Sequence, residues 1–233
     1  MLGPFDYAFW VSCFLLEVAV VVCTIYRRAF LRYLPLGIYM LCAALVNCGQ
    51  YACIRQFGFD SSQYGYFYFY TDGLLMILVF VVIIHFYEQI FIEMHVGRYI
   101  RGAAMLLLGA TALFSALVIH EHQEHFTGKF IGEFSQNIYF VCLVLTYLLW
   151  GAVLKLRETR AQLVQLILAL GIFFSGTAGT YALQNLFPGL WLVFLHWLPD
   201  VTGVWLPAAW LYTFAKVPEE ARLATAPLAV GAR

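Results

Sequence analysis

Seven apolar runs, each near the ~20 residues a helix needs to cross a bilayer, leave this chain few ways to fold. They cover about 4–26, 34–55, 66–92, 100–119, 133–155, 162–185 and 191–215, and polar or Gly/Pro segments such as RRAFLR, QFGFDSSQYG, HEHQEHFTGK, RETRAQ and FPG separate them. Of the 233 residues, 63% are apolar and 11% charged, with mean hydropathy +0.82. A soluble core could not hide that much apolar surface, since soluble domains average roughly half apolar and a quarter charged. The expected fold is an all-α integral membrane protein of seven transmembrane helices. One membrane domain occupies 1–216, and 217–233 form a short, flexible cytoplasmic tail. MLGPFDYAFW lacks a basic leader and a small-residue cleavage site, so the first helix is expected to stay.

Orientation follows from the basic residues. With the N-terminus outside, Arg27, Arg28, Arg32, Arg98, Arg101, Lys155, Arg157, Arg160, Lys216, Arg222 and Arg233 lie on the inner side. They are eleven of the thirteen Lys and Arg, and only Arg55 and Lys129 lie outside. The predicted topology is N-out, C-in, in the plasma (inner) membrane. Zero net charge argues against nucleic acid as a partner. Cys13, Cys23, Cys42, Cys48, Cys53 and Cys142 fall within the apolar runs without CxxC spacing, which reads as packing rather than a disulfide or zinc framework.

Sliding the chain by about 130 residues uncovers a faint repeat. FDYAFWVSCFLL (5–16) meets FSQNIYFVCLVL (134–145), aligning Phe5 with Phe134 and Cys13 with Cys142. GQYACIRQFG (49–58) meets GTYALQNLFPG (179–189), and Gly73 meets Gly203. Spans one, two and three thereby pair with five, six and seven, each pair running in the same direction. A 3+1+3 parallel pseudo-repeat is the result. This plan resembles that of SWEET-type sugar carriers in architecture alone, because the PQ-loop signature is missing.

Ionisable groups inside a bilayer normally face the bundle interior. Asp72 falls roughly 10 Å to the outer side of midplane in span three, His196 at about that depth in span seven, and Asp200 about 5 Å deeper. Gln50, Gln136, Asn137 and Tyr181 also fall in the outer half, giving a polar tier drawn from five helices. His196 and Asp200 are i,i+4 on one face, with Pro199 between them freeing backbone carbonyls. That face is expected to turn inward with Asp72 as its partner, either as a structural pair or as a site for a ligand, proton or metal. Glu17, close to the middle of span one, needs a hydrogen-bonding partner or a proton and is the proton-linked candidate. YGYFYFY (64–70) reads as an interfacial aromatic belt or as the wall of a pocket mouth. His85, Glu88, Gln89, Glu93 and His95 gather near the inner interface, where solvation is easy. The outer HEHQEH loop (120–125) has zinc- or copper-type donors but reads more plainly as solvated.

The leading functional reading is an outward-facing polar pocket for a small molecule, in a sensor or receptor or a small-solute carrier. Its binding residues would be Asp72, His196, Asp200, Gln50, Gln136 and Tyr181. Expected partners are the lipid bilayer, the small-molecule ligand and a separate signalling partner or a second copy; no cofactor is expected. The alternative is a zinc-dependent intramembrane hydrolase. Seven-helix zinc amidases of the alkaline-ceramidase and adiponectin-receptor type have a His-x-x-x-His pair in the last span, which His196-x-x-x-Asp200 resembles with one ligand changed. The resemblance would make Asp72, His196 and Asp200 the zinc ligands. Tyr70-Thr-Asp72 and Asp200-Val-Thr look slightly like microbial rhodopsins, but Val204 occupies the retinal-lysine place. Bis-histidine haem ligation fails because His85 and His196 lie at different depths, and no Gly-x-Ser-x-Gly elbow is present.

Overall fold

The computed structural model describes residues 4–59, 61–120, 126–186 and 198–218. Among them are seven α-helices and a single-turn 3₁₀ helix at Ile92–Met94, with no strand. The helices are α1 (Pro4–Tyr26), α2 (Leu34–Phe57), α3 (Ser62–Ile90), α4 (Gly97–His120), α5 (Phe126–Lys155), α6 (Ala161–Leu186) and α7 (Leu198–Lys216). Six, α1 to α6, are long and apolar enough to cross a membrane. The protein is therefore an all-α, membrane-embedded chain. Of the seventh expected run, 191–197 lies outside the described residues, as do the tail beyond 218 and the 121–125 stretch.

Apolar side chains face outward in regular stripes. On α1, Val11, Leu15, Val18, Val22 and Ile25 recur every three or four residues and are all exposed. Water would penalise such a stripe, whereas acyl chains solvate it. α4 presents Met105, Leu106, Leu113, Phe114 and Leu117 in the same way.

Six helices form a closed ring in the order α1, α2, α3, α5, α6, α7, each packed on the next and α7 back on α1. α4 stands outside the ring, against α5 and α3. Asn137 donates to Ser115 Oγ at 2.9 Å, and Ser115 passes its own proton to the Thr111 carbonyl, so a polar ladder tethers α4 to α5. Asn137, expected in the polar tier, is thus turned toward α4. The ring's neighbour relations are unchanged when α1, α2 and α3 are exchanged for α5, α6 and α7.

Local geometry follows the same exchange. α1 ends in a Schellman motif: Arg28 is left-handed (φ 56°), Ala29 N–H donates to Thr24 O, and Arg28 N–H donates to Ile25 O. α5 ends identically at Arg157 (φ 50°), with Glu158 N–H on Val153 O and Arg157 N–H on Leu154 O. The sequence shift that carries Cys13 onto Cys142 carries each of these residues onto its counterpart.

α1, α3, α5 and α7 begin at one end of the bundle, here the upper end. Most of the largest fully buried side chains, Trp210, Phe86, Phe214, Leu36, Ile83 and Leu166 among them, fill the lower half. There the two halves of the ring are tied crosswise. Arg27, after α1, donates to Ala215 O in the last turn of α7 at 2.7 Å. Arg160, before α6, donates to Gln89 O in the last turn of α3 at 2.7 Å. Each arginine satisfies a carbonyl at the negative end of a helix belonging to the other half.

Glu158 holds Arg160 in place through a 2.7 Å ion pair. In return, the Arg160 hydrogen bonds hold the Glu158 carboxyl below the usual carboxylate range. As pH falls, the unfolded chain takes up this proton first, near about 4.3. The pair's contribution is complete above that value and is lost as pH drops through the lower folded-state value. Thermal unfolding in detergent from pH 7 to pH 3 should therefore fall less steeply for Arg160→Met than for the wild type across that window. Parallel curves would contradict the assignment.

Candidate functional site

The upper half of the ring is hollow. A cavity of about 510 Å³ opens there, and all six ring helices line it while α4 does not. The lining positions recur at helical spacing: 13 and 17 on α1; 39, 43, 46, 47 and 50 on α2; 68, 69, 72, 75 and 76 on α3. They continue with 135, 136 and 139 on α5, 173, 177 and 180 on α6, and 202, 203, 206 and 207 on α7. Each helix therefore turns one face to the cavity.

Glu17 is buried at this surface, 7% exposed. Asn47 Nδ2 donates to its Oε2 at 2.6 Å, and Trp10 Nε1 donates to Asn47 Oδ1 at 3.0 Å. Cys13 Sγ lies 3.5 Å from Glu17 Oε1 and 3.7 Å from the Gly203 carbonyl. That carbonyl lacks a helical donor because Pro207, four residues on, has no N–H. The thiol has one proton and serves one acceptor at a time. Span seven thus frees backbone carbonyl capacity toward the cavity at Pro207, while the turn before Pro199 lies outside the described residues.

Asp72 faces the cavity from α3, with Ser135 of α5 beside it. Gly73 makes this approach possible, since a Cβ there would lie 3.2 Å from Ile131 and 3.6 Å from Ser135 Oγ. Ser135 is 4% exposed, and its hydroxyl interacts with the Asp72 carboxyl across the α3–α5 contact. Tyr39 of α2 lies within electrostatic reach of both Asp72 and Glu17, so the two carboxyls share one chamber.

Of the sequence-predicted site residues, Asp72, Gln50, Gln136 and Glu17 come together here. His196 lies outside the described residues. Asp200 and Tyr181 fall on described helical backbone, but their side chains lie outside the description, as do those of the HEHQEH loop. Among the described residues, no group of three His, Cys, Asp or Glu side chains is placed to hold a metal. The YGYFYFY run is helical and divides: Tyr66 and Tyr70 face outward, whereas Tyr68 and Phe69 line the cavity. The inner group lies at the opposite end. Glu88, Gln89 and His95 line a separate shallow concavity with Arg98 and Arg101, and Glu88 pairs with Arg101. His85 bonds to the Arg32 carbonyl at 2.9 Å. The sequence reading missed Asn47, Ser135 and Tyr39; Asn47 was signalled by its place one helical turn before Gln50.

Fold and site together define a class: a polytopic, all-α membrane protein with a polar chamber shared by the two halves of a six-helix ring. No family model matches the chain, and no curated protein or solved structure is significantly similar to it.

Proposed function

We propose that this protein is a small-solute carrier whose binding chamber, built around Asp72 and Glu17, faces the outside. It crosses the membrane seven times, N-out and C-in, in the plasma (inner) membrane. Two parallel three-helix units, α1–α3 and α5–α7, joined by α4, form its working halves. The observation that carries this reading is that both units line one 510 Å³ cavity at the upper end. Arg27 and Arg160 meanwhile tie each unit to the other at the lower end. A pocket between two similar units, open on one side and latched on the other, is the arrangement that rocking transport requires. The volume lies within the ~300–1,000 Å³ of small-molecule sites. In this reading His196 and Asp200 are further ligand-binding residues, and Glu17, held by neutral hydrogen-bonding partners, is the proton-linked group.

A ligand bound to the folded protein alone raises its unfolding temperature. Detergent-purified protein should therefore be stabilised by at least one solute from a set of amino acids, sugars, polyamines and quaternary amines, and Asp72→Asn should abolish that shift. If no solute in the set stabilises the protein, or if the shift is indifferent to Asp72, the reading is wrong. Metal analysis of the same preparation tests the hydrolase alternative: stoichiometric zinc, lost in Asp72→Ala and His196→Ala, would replace the carrier with an enzyme.

A further inference from the structure

We infer that the solute is a small organic cation, an ammonium group on a compact apolar body, seated between the Asp72 and Glu17 carboxyls and the aromatic rings around them. The inference rests on the pocket-binding reading above and names its substrate class.

Among the described residues that line the chamber, the acids are Glu17 and Asp72, and there is no Lys, Arg or His. The groups that hold Glu17, the Asn47 amide and the Cys13 thiol, are neutral donors. Two acids in a low-dielectric chamber, with no basic side chain among the described lining, favour a cationic guest and repel an anionic one.

The walls select the kind of cation. Tyr39, Tyr68, Phe69, Tyr139 and Phe173 bring aromatic rings from α2, α3, α5 and α6 to the same space. Rings attract a quaternary or alkylated ammonium through their faces, and more strongly where water is excluded. The cavity's volume is that of an organic guest rather than of a bare ion. The Ser135 hydroxyl, buried beside the Asp72 carboxyl, adds a polar group to the same wall. As donor or acceptor it can meet a polar substituent on the guest. Thr177 and Thr180 add hydroxyls to the lining; their protons go to carbonyls in their own helix, so they offer lone pairs. Acceptors, acids and rings together describe a chamber for a cation.

The test is calorimetric titration of the full-length protein in detergent with tetramethylammonium, its neutral isostere tert-butanol, and glucose. Tetramethylammonium should bind saturably and tert-butanol should not. Asp72→Asn and Glu17→Gln should each weaken the binding tenfold or more, and using two variants guards against one that fails to fold. Absence of saturable tetramethylammonium binding overturns the inference, as does binding unchanged in both variants. Glucose binding that depends on Asp72, without tetramethylammonium binding, also overturns it but leaves the carrier reading intact. The carrier reading fails separately, when no solute of any class binds in an Asp72-dependent way.

Discussion

Replacing Trp210 by alanine is expected to destabilise the protein by about 3–5 kcal/mol, the range for deleting a large buried aromatic side chain. Trp210 is fully buried in the lower half of the ring, edge-on to Tyr39 at 6.0 Å, with its indole N–H on the Leu166 carbonyl of α6. It touches both three-helix units at once. In lipid, the unfolded helices remain in an apolar solvent, so the loss comes from packing and the cavity left behind rather than from water. Trp210→Phe keeps most of that volume and should cost well under half as much. Unfolding free energies in mixed micelles check both values. A Trp210→Ala cost below about 1 kcal/mol would mean that the lower half is not close-packed.

Asn47→Leu should cost nearly as much, by a different route. The Asn47 amide is donor to Glu17 and acceptor from Trp10, so its removal leaves both the Oε2 oxygen of a buried carboxyl and a half-buried indole N–H without this partner. Each group left so costs about 1–3 kcal/mol, more for a charged group. Glu17→Leu made in the same chain removes one of them, and the double variant should recover stability relative to Asn47→Leu. Coupling energies between such neighbours run about 0.5–3 kcal/mol. The double variant should nevertheless bind no solute, which separates the pair's structural cost from its role in the chamber. Strictly additive losses would mean that Asn47 and Glu17 do not interact.

The helices were legible because lipid leaves the backbone little choice: runs of the right length must be helical. Ends read from Arg, Gly and Pro punctuation fell within a few residues for α1, α2, α4 and α6, whereas α3 and α5 begin at Ser62 and Phe126, earlier than the expected 66 and 133; Gly58, with φ 86°, closes α2 where the QFG segment predicted a break. The faint repeat was harder to read, because apolar helices resemble one another by composition. Backbone features, the paired Schellman ends at Arg28 and Arg157, add what side-chain identity barely records. For the site, depth along each span picked out Asp72, Gln50 and Gln136, but depth says nothing about the direction a side chain faces. Asn137, beside Gln136 in sequence, points to Ser115 on α4 instead. Asn47 and Ser135 escaped notice because small polar residues are common in packed membrane helices. Only their neighbours, Glu17 and Asp72, give them a role.

Thiol labelling tests the account most directly. With the six native cysteines replaced by alanine and Gln50→Cys placed at the chamber wall, a membrane-impermeant thiol reagent is applied to either face of intact or inverted membranes. An outward-open chamber should give rapid modification from the outside, slow modification from the inside, and protection by a bound solute. Modification from the inside alone, or none until the protein unfolds, would contradict an outward-open chamber between the two halves.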